Sequence, residues 1–313
     1  MKKKYLVILA GSPRGGVNAW KSLFKNVINH LNADLALCTT DNYAQDTFLF
    51  KKAKHIWLMK NPENFEQYYE HYFDGNWREY LLLGKELGLY ESGTIHFAFK
   101  DFIIRNYKEI LSKYEFIIYT RFDQYYVDLH PDFYDDKLYI PTGEDYFGIC
   151  DRHAVFKSNK AEDYFSIVKY IDSPEAIQDP PKFLNCESVY RQHLQAVSLS
   201  ENIERFNRSS FTVALKHEPT NWRVPDLKVF FSKNLMIKYP DEFIAAMKNK
   251  FKNNSLFKAL FNNIRLNLLY FYLILRRLVG SKLKRKQHMI CSLHGEYFKS
   301  DRYKDLETCP ECN

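Results

Sequence analysis

Three acidic side chains stand at or just after the ends of predicted strands. Asp123 follows a predicted central strand, Tyr114–Tyr119, while Asp145 and Asp151 follow a second predicted strand, Lys137–Pro141. Because open α/β sheets hold ligands outside the carboxyl ends of their strands, these carboxylates are candidates for one site. A carboxylate placed there can hold a divalent cation that neutralises a departing phosphate.

Basic side chains accompany these acids. Arg121 stands two residues before Asp123, and Arg152 and His153 directly follow Asp151. An arginine fork suits phosphate oxygens, so the group has the composition of a diphosphate site. A single Asp after a strand is more often a turn or cap residue. Three acids and three basic groups in one loop system favour the functional interpretation.

The glycine-rich turn GSPRGG, residues 11–16, is a second candidate phosphate contact. It follows a predicted buried strand, Lys4–Ala10, and precedes a predicted helix, Ala19–Leu31, and a second strand, Ala33–Cys38. Backbone N–H groups in such a turn, and Arg14 beside them, could bind a diphosphate. The spacing is neither G-x-G-x-x-G nor a Walker loop. Any tight strand-to-helix turn also favours glycine, so a purely structural turn stays open.

Two further polar groups lie in the second half of the chain. Glu187 and Arg191 fall four residues apart on a helix predicted to begin near Asn185, a spacing that also suits a surface ion pair. His217 and Glu218 follow a late predicted strand, where they could contact a phosphate or hydroxyl group. For both groups, an ordinary surface role is an equal alternative.

Charge divides the 313-residue chain into segments. Between Phe243 and Gly295 there are eleven Lys and Arg residues and no Asp or Glu, whereas the whole chain carries +7. The remaining residues therefore carry −4, the difference between +7 and +11. We predict an α/β domain over residues 1–242, a basic amphipathic helical segment over 243–287 and a zinc ribbon over 288–313.

The basic segment contains an apolar helical stripe within 256–286. Its least polar run, Leu266–Leu275, ends at Arg276 and Arg277 and is too short to span a bilayer. A helix of this kind suits the surface of an anionic membrane. A helix packed on the main domain and a nucleic-acid patch are alternatives. No secretory signal is predicted, so we expect a cytoplasmic protein. If the basic segment binds lipid, the protein would be peripheral on the inner face of a membrane.

The last residues predict a structural zinc site. Cys291-x2-His294 and Cys309-x2-Cys312 supply two chelating pairs. Thiolate and imidazole ligands at this spacing match a closed tetrahedral Zn²⁺ site, which would fold the ribbon.

The main domain resembles a known family of enzymes. The segments GSPRG, WKSLFKNVINHL and NADLAL resemble the opening of glycosyltransferases that build capsular or lipopolysaccharide chains, and of their large-virus relatives. TRFD is similar to an R-x-D element in the place of the D-x-D motif of the GT-A fold, and GEDYFGICDRH resembles the acidic loop that follows.

The resemblance implies a fold, a reaction and a set of site residues. The fold would be a GT-A-like, Rossmann-type sheet flanked by helices, and the reaction would move a sugar from a nucleotide sugar to a glycan or lipid-linked acceptor. Asp145 and Asp151 would be catalytic, one of them as the base if the enzyme inverts; a retaining enzyme needs none. Asp123 would hold Mn²⁺ or Mg²⁺, or Arg121 would neutralise the diphosphate instead. The implied donor-binding residues are Gly11, Ser12, Arg14, Arg121, Asp123, Arg152 and His153.

Two other functions fit parts of the sequence. A sulfotransferase could use GSPRGG to hold the 5′-phosphate of the sulfate donor, although Val17-Asn18-Ala19 follows where that family has Ser or Thr. A non-enzymatic protein could bind nucleic acid or a partner through the basic segment and the zinc ribbon. Neither alternative gives the acidic loop a role.

Overall fold

The computed structural model confirms the predicted α/β class, with a mostly parallel sheet flanked by helices. The structure describes residues 4–43, 46–62, 64–215, 218, 227–230, 235–251, 264–269, 271–272, 274–275, 287–291 and 295–299. The predicted zinc ligands His294, Cys309 and Cys312, and the side chain of Cys291, lie outside this set.

A main sheet organises the described residues, with elements numbered in chain order. Its strands, in spatial order, are β3 (His55–Met59), β2 (Asp34–Thr40), β1 (Tyr5–Ala10), β4 (Phe116–Arg121), β7 (His153–Lys157), β6 (Leu138–Pro141) and β8 (Ile203–Phe206). The first four are parallel, and β7 is antiparallel to both β4 and β6. β1 and β4 are adjacent although β2 and β3 separate them in sequence, so their carboxyl ends lie where the chain reverses its order across the sheet.

Helices cover both faces of this sheet. They are α1 (Gly16–Leu23), α2 (Phe48–Lys52), α3 (Glu66–Tyr72), α4 (Trp77–Leu83), α5 (Leu89–Leu111), α6 (Ala161–Phe165), α7 (Ile167–Ile171), α8 (Pro174–Gln178), α9 (Cys186–Ala196) and α10 (Pro240–Phe251). A π-helical turn, Phe24–Ile28, continues α1, so the helix predicted over Ala19–Leu31 begins and ends three residues earlier. Short 3₁₀ turns occupy Lys85–Leu87, Ser158–Lys160 and Ser200–Asn202.

A smaller sheet packs on the α1 side. Its strands, in order, are β10 (Leu227–Phe230), β11 (Leu235–Ile237), β9 (Ser210–Leu215) and β5 (Gln124–Tyr126). Because β5 begins directly after Asp123, this sheet fixes the position of the chain that follows Asp123. Separately, β12 (Gln287–Cys291) and β13 (Gly295–Lys299) form an antiparallel hairpin in which Cys291 is paired with Gly295.

The main sheet has a core on each face because its central strands are buried on both sides. All six residues of β1 are buried; Leu6 and Ile8 pack on the α5 side, and Val7 and Leu9 on the α1 side. α10 crosses the predicted boundary at residue 243, with Phe243 buried in the α1-side core. Within the described part of the chain, no helix has the length and apolarity needed to cross a bilayer.

Candidate functional site

The loops that follow β1 and β4 touch each other. A Cβ placed on Gly15 would lie 3.0 Å from the Cα of Asp123, so any larger residue would push these two backbone segments apart. Gly15 also has φ +85°, a conformation that glycine adopts without strain. The glycine-rich turn and Asp123 therefore form one edge of a common site, at the point where strand order reverses.

Arg121, the last residue of β4, forms a two-pronged ion pair with Asp123. Arg121 donates from Nε to Asp123 Oδ1 at 3.0 Å and from Nη2 to Oδ2 at 2.8 Å. Burial alone would raise the pKa of Asp123, but Arg121, with Arg152 and His96, lowers it below its ordinary value. Asp123 therefore stays ionised. Its backbone carbonyl accepts from Val213 N at 2.8 Å, which anchors the pair to the smaller sheet.

This pairing bears on the predicted cation. Both carboxylate oxygens of Asp123 already face the guanidinium of Arg121, which would repel a divalent ion bound there. Among the described residues, no group of three or more His, Cys, Asp or Glu side chains is arranged to hold a metal ion. The donor set at Asp123 does not fit Mn²⁺ or Mg²⁺ in this arrangement, which favours Arg121 as the neutralising group.

A second ionic network lies in the loop between β6 and β7. The guanidinium of Arg152 lies between Glu144, with Nε to Oε2 at 3.2 Å, and Glu187, with Nη2 to Oε1 at 2.9 Å. Glu144 also accepts from Arg208 Nη1 at 2.5 Å, and Arg208 pairs in turn with Glu242. Glu144 and Glu187 are 8% and 7% exposed, so these charges are compensated away from bulk water.

Glu187 is the member of this network that sequence reasoning placed differently. Its spacing from Arg191 suits a surface ion pair, yet Glu187 is buried in the first turn of α9 and pairs with Arg152. Burial raises the pKa of Glu187 to about 7 and Asp151 adds to this, although Arg152 and Lys238 oppose it. Burial also disfavours the charged form of Lys238, which lowers the pKa of that lysine to about 8.

Asp151 lies next to this network, and one of its carboxylate oxygens, Oδ1, accepts no hydrogen bond from the described residues. This oxygen is buried, and Arg152 Nη1 lies 3.7 Å from it. Burial raises the pKa of Asp151, but Arg152, His96, Lys100 and Arg121 together lower it. A buried carboxylate oxygen without a partner is rare in folded proteins and indicates a place where a ligand donor can bind.

Asp145, the other predicted catalytic acid, binds Arg205 of β8 and the backbone of its own loop. Arg205 Nη2 lies 2.8 Å from both of its oxygens, and Oδ1 also accepts from Cys150 N at 2.9 Å. With 39% of its side chain exposed, Asp145 holds the start and end of the loop together.

The loop that carries Glu144 and Arg152 has an unusual backbone. Glu144, Tyr146 and Phe147 all have positive φ, at 58°, 38° and 69°. Non-glycine residues in this region are uncommon and concentrate at functional sites, where surrounding contacts hold them. Here α9 supplies those contacts, because Asn185 Nδ2 donates to Tyr146 O at 2.7 Å and Ile149 N donates to Glu187 O at 3.1 Å.

α5 contributes two basic residues that no sequence motif indicated. His96 and Lys100 lie one turn apart; Lys100 is 1% exposed, and its Nζ has no hydrogen-bond partner among the described residues. Nζ lies 4.2 Å from the ring centroid of Tyr190. Burial lowers the pKa of Lys100 to about 8, opposed mainly by Asp151. Burial lowers that of His96 to about 4, with Arg121 adding to the effect.

The glycine-rich turn is already engaged by an internal carboxylate. Gly15 N donates to Glu218 Oε1 and Oε2 at 3.2 and 3.3 Å, and Leu215 N donates to Oε2 at 2.7 Å. Ser12 Oγ accepts from the hydroxyl of Tyr43 at 2.8 Å, and Arg14 is exposed. A phosphate could accept a hydrogen bond from the N–H of Gly15 only by displacing Glu218. In this arrangement the turn forms one edge of the site, and the N–H of Gly15 is not available to a phosphate.

His153 is directed to the opposite face of the sheet. It is 2% exposed, and its Nε2 lies 2.9 Å from Nε2 of His130. In β7 it is paired with Thr120, one residue before Arg121, and successive side chains of a strand alternate between faces. The structure therefore separates His153 from Arg121, Asp123 and Arg152.

This histidine pair predicts acid sensitivity. Burial lowers the pKa of His130 from 6.5 to about 4 and that of His153 well below its ordinary value. Because the unfolded chain binds protons that the folded pair does not, the free energy of unfolding falls as pH drops from about 6.5 towards about 4. His130 alone costs about 2 kcal/mol by about pH 5. We expect His153→Phe to reduce the loss of Tm between about pH 7.5 and about pH 5.

The control for this measurement is His71→Phe, at an exposed position in α3. It should keep the full acid-induced loss of Tm. An unchanged loss in His153→Phe would contradict the assignment to the buried pair.

In comparisons with known sequences, no protein-family model matches the chain, and no curated protein matches it significantly.

Proposed function

We propose that this chain is a glycosyltransferase that moves a sugar from a nucleoside-diphosphate donor to a hydroxyl group of a glycan or lipid-linked acceptor. The observation that carries the proposal is the Arg121–Asp123 pair, which lies at the carboxyl end of β4 where the strand order reverses and touches the turn after β1. This is the place of the D-x-D motif in the GT-A enzymes that the sequence resembles, so we infer a GT-A-like fold.

The charges around this pair suit a departing diphosphate. Arg121 and Arg152 are nearby guanidinium groups, and both lower the pKa of Asp123 and the pKa of Asp151. When the bond between the anomeric carbon and the diphosphate oxygen breaks, the electron pair goes to that oxygen. Preorganised cations stabilise the charge that develops there without reorganising. In this proposal Arg121 and Arg152 take the role that a metal ion has in D-x-D enzymes.

Asp151 is the better placed of the two predicted bases. Its buried Oδ1 accepts no hydrogen bond from the described residues, and its ion-pair partner Arg152 Nη1 lies 3.7 Å away, whereas both oxygens of Asp145 lie 2.8 Å from Arg205. For an inverting reaction, the acceptor hydroxyl would donate its proton to Asp151 as its oxygen attacks the anomeric carbon. The lowered pKa of Asp151 keeps this carboxylate ionised and ready to accept the hydrogen bond of the hydroxyl group.

A thermal-shift panel tests the proposal. The protein is heated with UDP-, GDP-, dTDP- and CMP-sugars, with the sulfate donor of sulfotransferases and with DNA, each with and without Mn²⁺. We expect one nucleotide-sugar class to raise Tm without requiring Mn²⁺, because a ligand at 100 times its Kd adds about 2.7 kcal/mol to the free energy of unfolding. A shift from the sulfate donor or DNA alone, with none from any nucleotide sugar, would overturn the glycosyltransferase assignment.

A further inference from the structure

Residues 264–275 present a row of exposed apolar side chains. Residues 264–269, 271–272 and 274–275 are helical. Ile264, Leu268, Phe271, Tyr272 and Leu275 are 52%, 64%, 59%, 50% and 45% exposed. At 3.6 residues per turn, these five positions fall within an arc of about 100°. We call them the apolar face.

The opposite side of this helical segment packs on the main domain. Leu266 is 7% exposed and belongs to the α1-side core, and Leu269 packs against that core as well. Lys248 Nζ in α10 donates to Asn267 Oδ1 at 2.7 Å. The segment is therefore held against the protein by one side while the apolar face is turned to the surroundings. Packing on the domain explains Leu266 but leaves the apolar face without a role.

The positive charge of the sequence stretch that contains the apolar face indicates which kind of partner would bind it. Arg265 is exposed beside it, and residues 243–295 contain eleven Lys and Arg residues with no Asp or Glu. Apolar side chains flanked by cations are the combination that lies in the interface of an anionic bilayer. A second copy of the chain would bring two such cationic segments together, and like charges oppose that association. Nucleic acid would use the cations but give the five apolar side chains no contact.

We propose that the apolar face docks on an anionic lipid bilayer, with its side chains inserted at the headgroup boundary, while the Lys and Arg residues that are concentrated in this stretch of the sequence contact acidic headgroups. The proposal is independent of the glycosyltransferase assignment, because it rests on a different surface. It would hold the main domain at the membrane, where a lipid-linked acceptor would be found.

A vesicle-flotation assay on the full chain tests this docking. Vesicles of phosphatidylcholine, with or without about 30% phosphatidylglycerol, are mixed with protein in about 0.05 M or about 0.5 M NaCl. We expect binding only with phosphatidylglycerol, weakened at high salt. The double variant L268E/F271E should bind at least about tenfold more weakly, since it places two carboxylates where apolar side chains insert.

The matched control is L82E/L83E, which makes the same chemical change on α4, where these leucines are 42% and 52% exposed. It should bind vesicles as the unmodified chain does, and both variants should keep its Tm. Equal binding by the two double variants, or equal binding to vesicles without phosphatidylglycerol, would overturn the proposal. So would a dimer in light scattering that L268E/F271E converts to monomer without any vesicle binding.

Discussion

We expect Asp123→Asn to lower sugar transfer by about 100- to 1,000-fold, the loss that follows removal of one preorganised electrostatic group from a transfer site. The change keeps the size of the side chain but removes the charge that orients Arg121 through both of its oxygens. Without that partner, the guanidinium no longer has a fixed position for the diphosphate. Donor-induced stabilisation should shrink in parallel, and both quantities can be measured with the donor that the thermal-shift panel identifies.

The control is Asp136→Asn, at a carboxylate that is 51% exposed and pairs with Lys160 at 3.1 Å. It makes the same chemical change away from the site and should leave transfer and donor binding intact. Asp123→Asn should also remain folded, because asparagine can still accept a hydrogen bond from Arg121. A folded Asp123→Asn protein with full transfer activity would remove Asp123 from the site.

We expect Gly148→Ala to be the most destabilising single change in the site. A Cβ on Gly148 would lie 2.0 Å from the carbonyl oxygen of Glu187 and 2.3 Å from Ser188 N. These are backbone atoms of α9, so no side-chain rotation relieves the overlap. Overpacking of this kind costs about 3 kcal/mol or more, and a loss of about 2–4 °C in Tm accompanies each kcal/mol. Differential scanning calorimetry measures the change.

Donor binding should weaken with it, because the clash separates the loop from α9. The hydrogen bond from Ile149 N to Glu187 O would break, and with it the placement of Arg152 between Glu144 and Glu187. Gly143→Ala is the comparison: its φ of +87° costs about 1–2 kcal/mol, but its Cβ would meet only side-chain atoms, the nearest of them Glu242 Oε2 at 3.3 Å. Gly148 has no left-handed φ, so its loss would come from the contact with α9 alone, and equal losses of Tm in the two variants would contradict the expected ranking.

Local patterns in the sequence were sufficient for the central strands. An unbroken apolar run predicted β1, and the structure has it at Tyr5–Ala10; a similar run before Asp123 predicted β4. β3 was not predicted, since within His55–Met59 only Trp57 and Met59 are buried. Strand pairing was also out of reach, because the adjacency of β1 and β4 depends on contacts between residues more than a hundred positions apart.

The sequence by itself determined the α/β class and the position of Arg121 and Asp123 after a central strand, because strand burial and strand ends leave local signals. Only the tertiary structure decided which charges meet. The spacing of Glu187 and Arg191 suggested a surface pair, but packing of α9 on Gly148 buries Glu187 beside Arg152. Strand alternation likewise turned His153 towards His130. Charge pairing inside a protein depends on long-range packing and desolvation, which residue order alone does not specify.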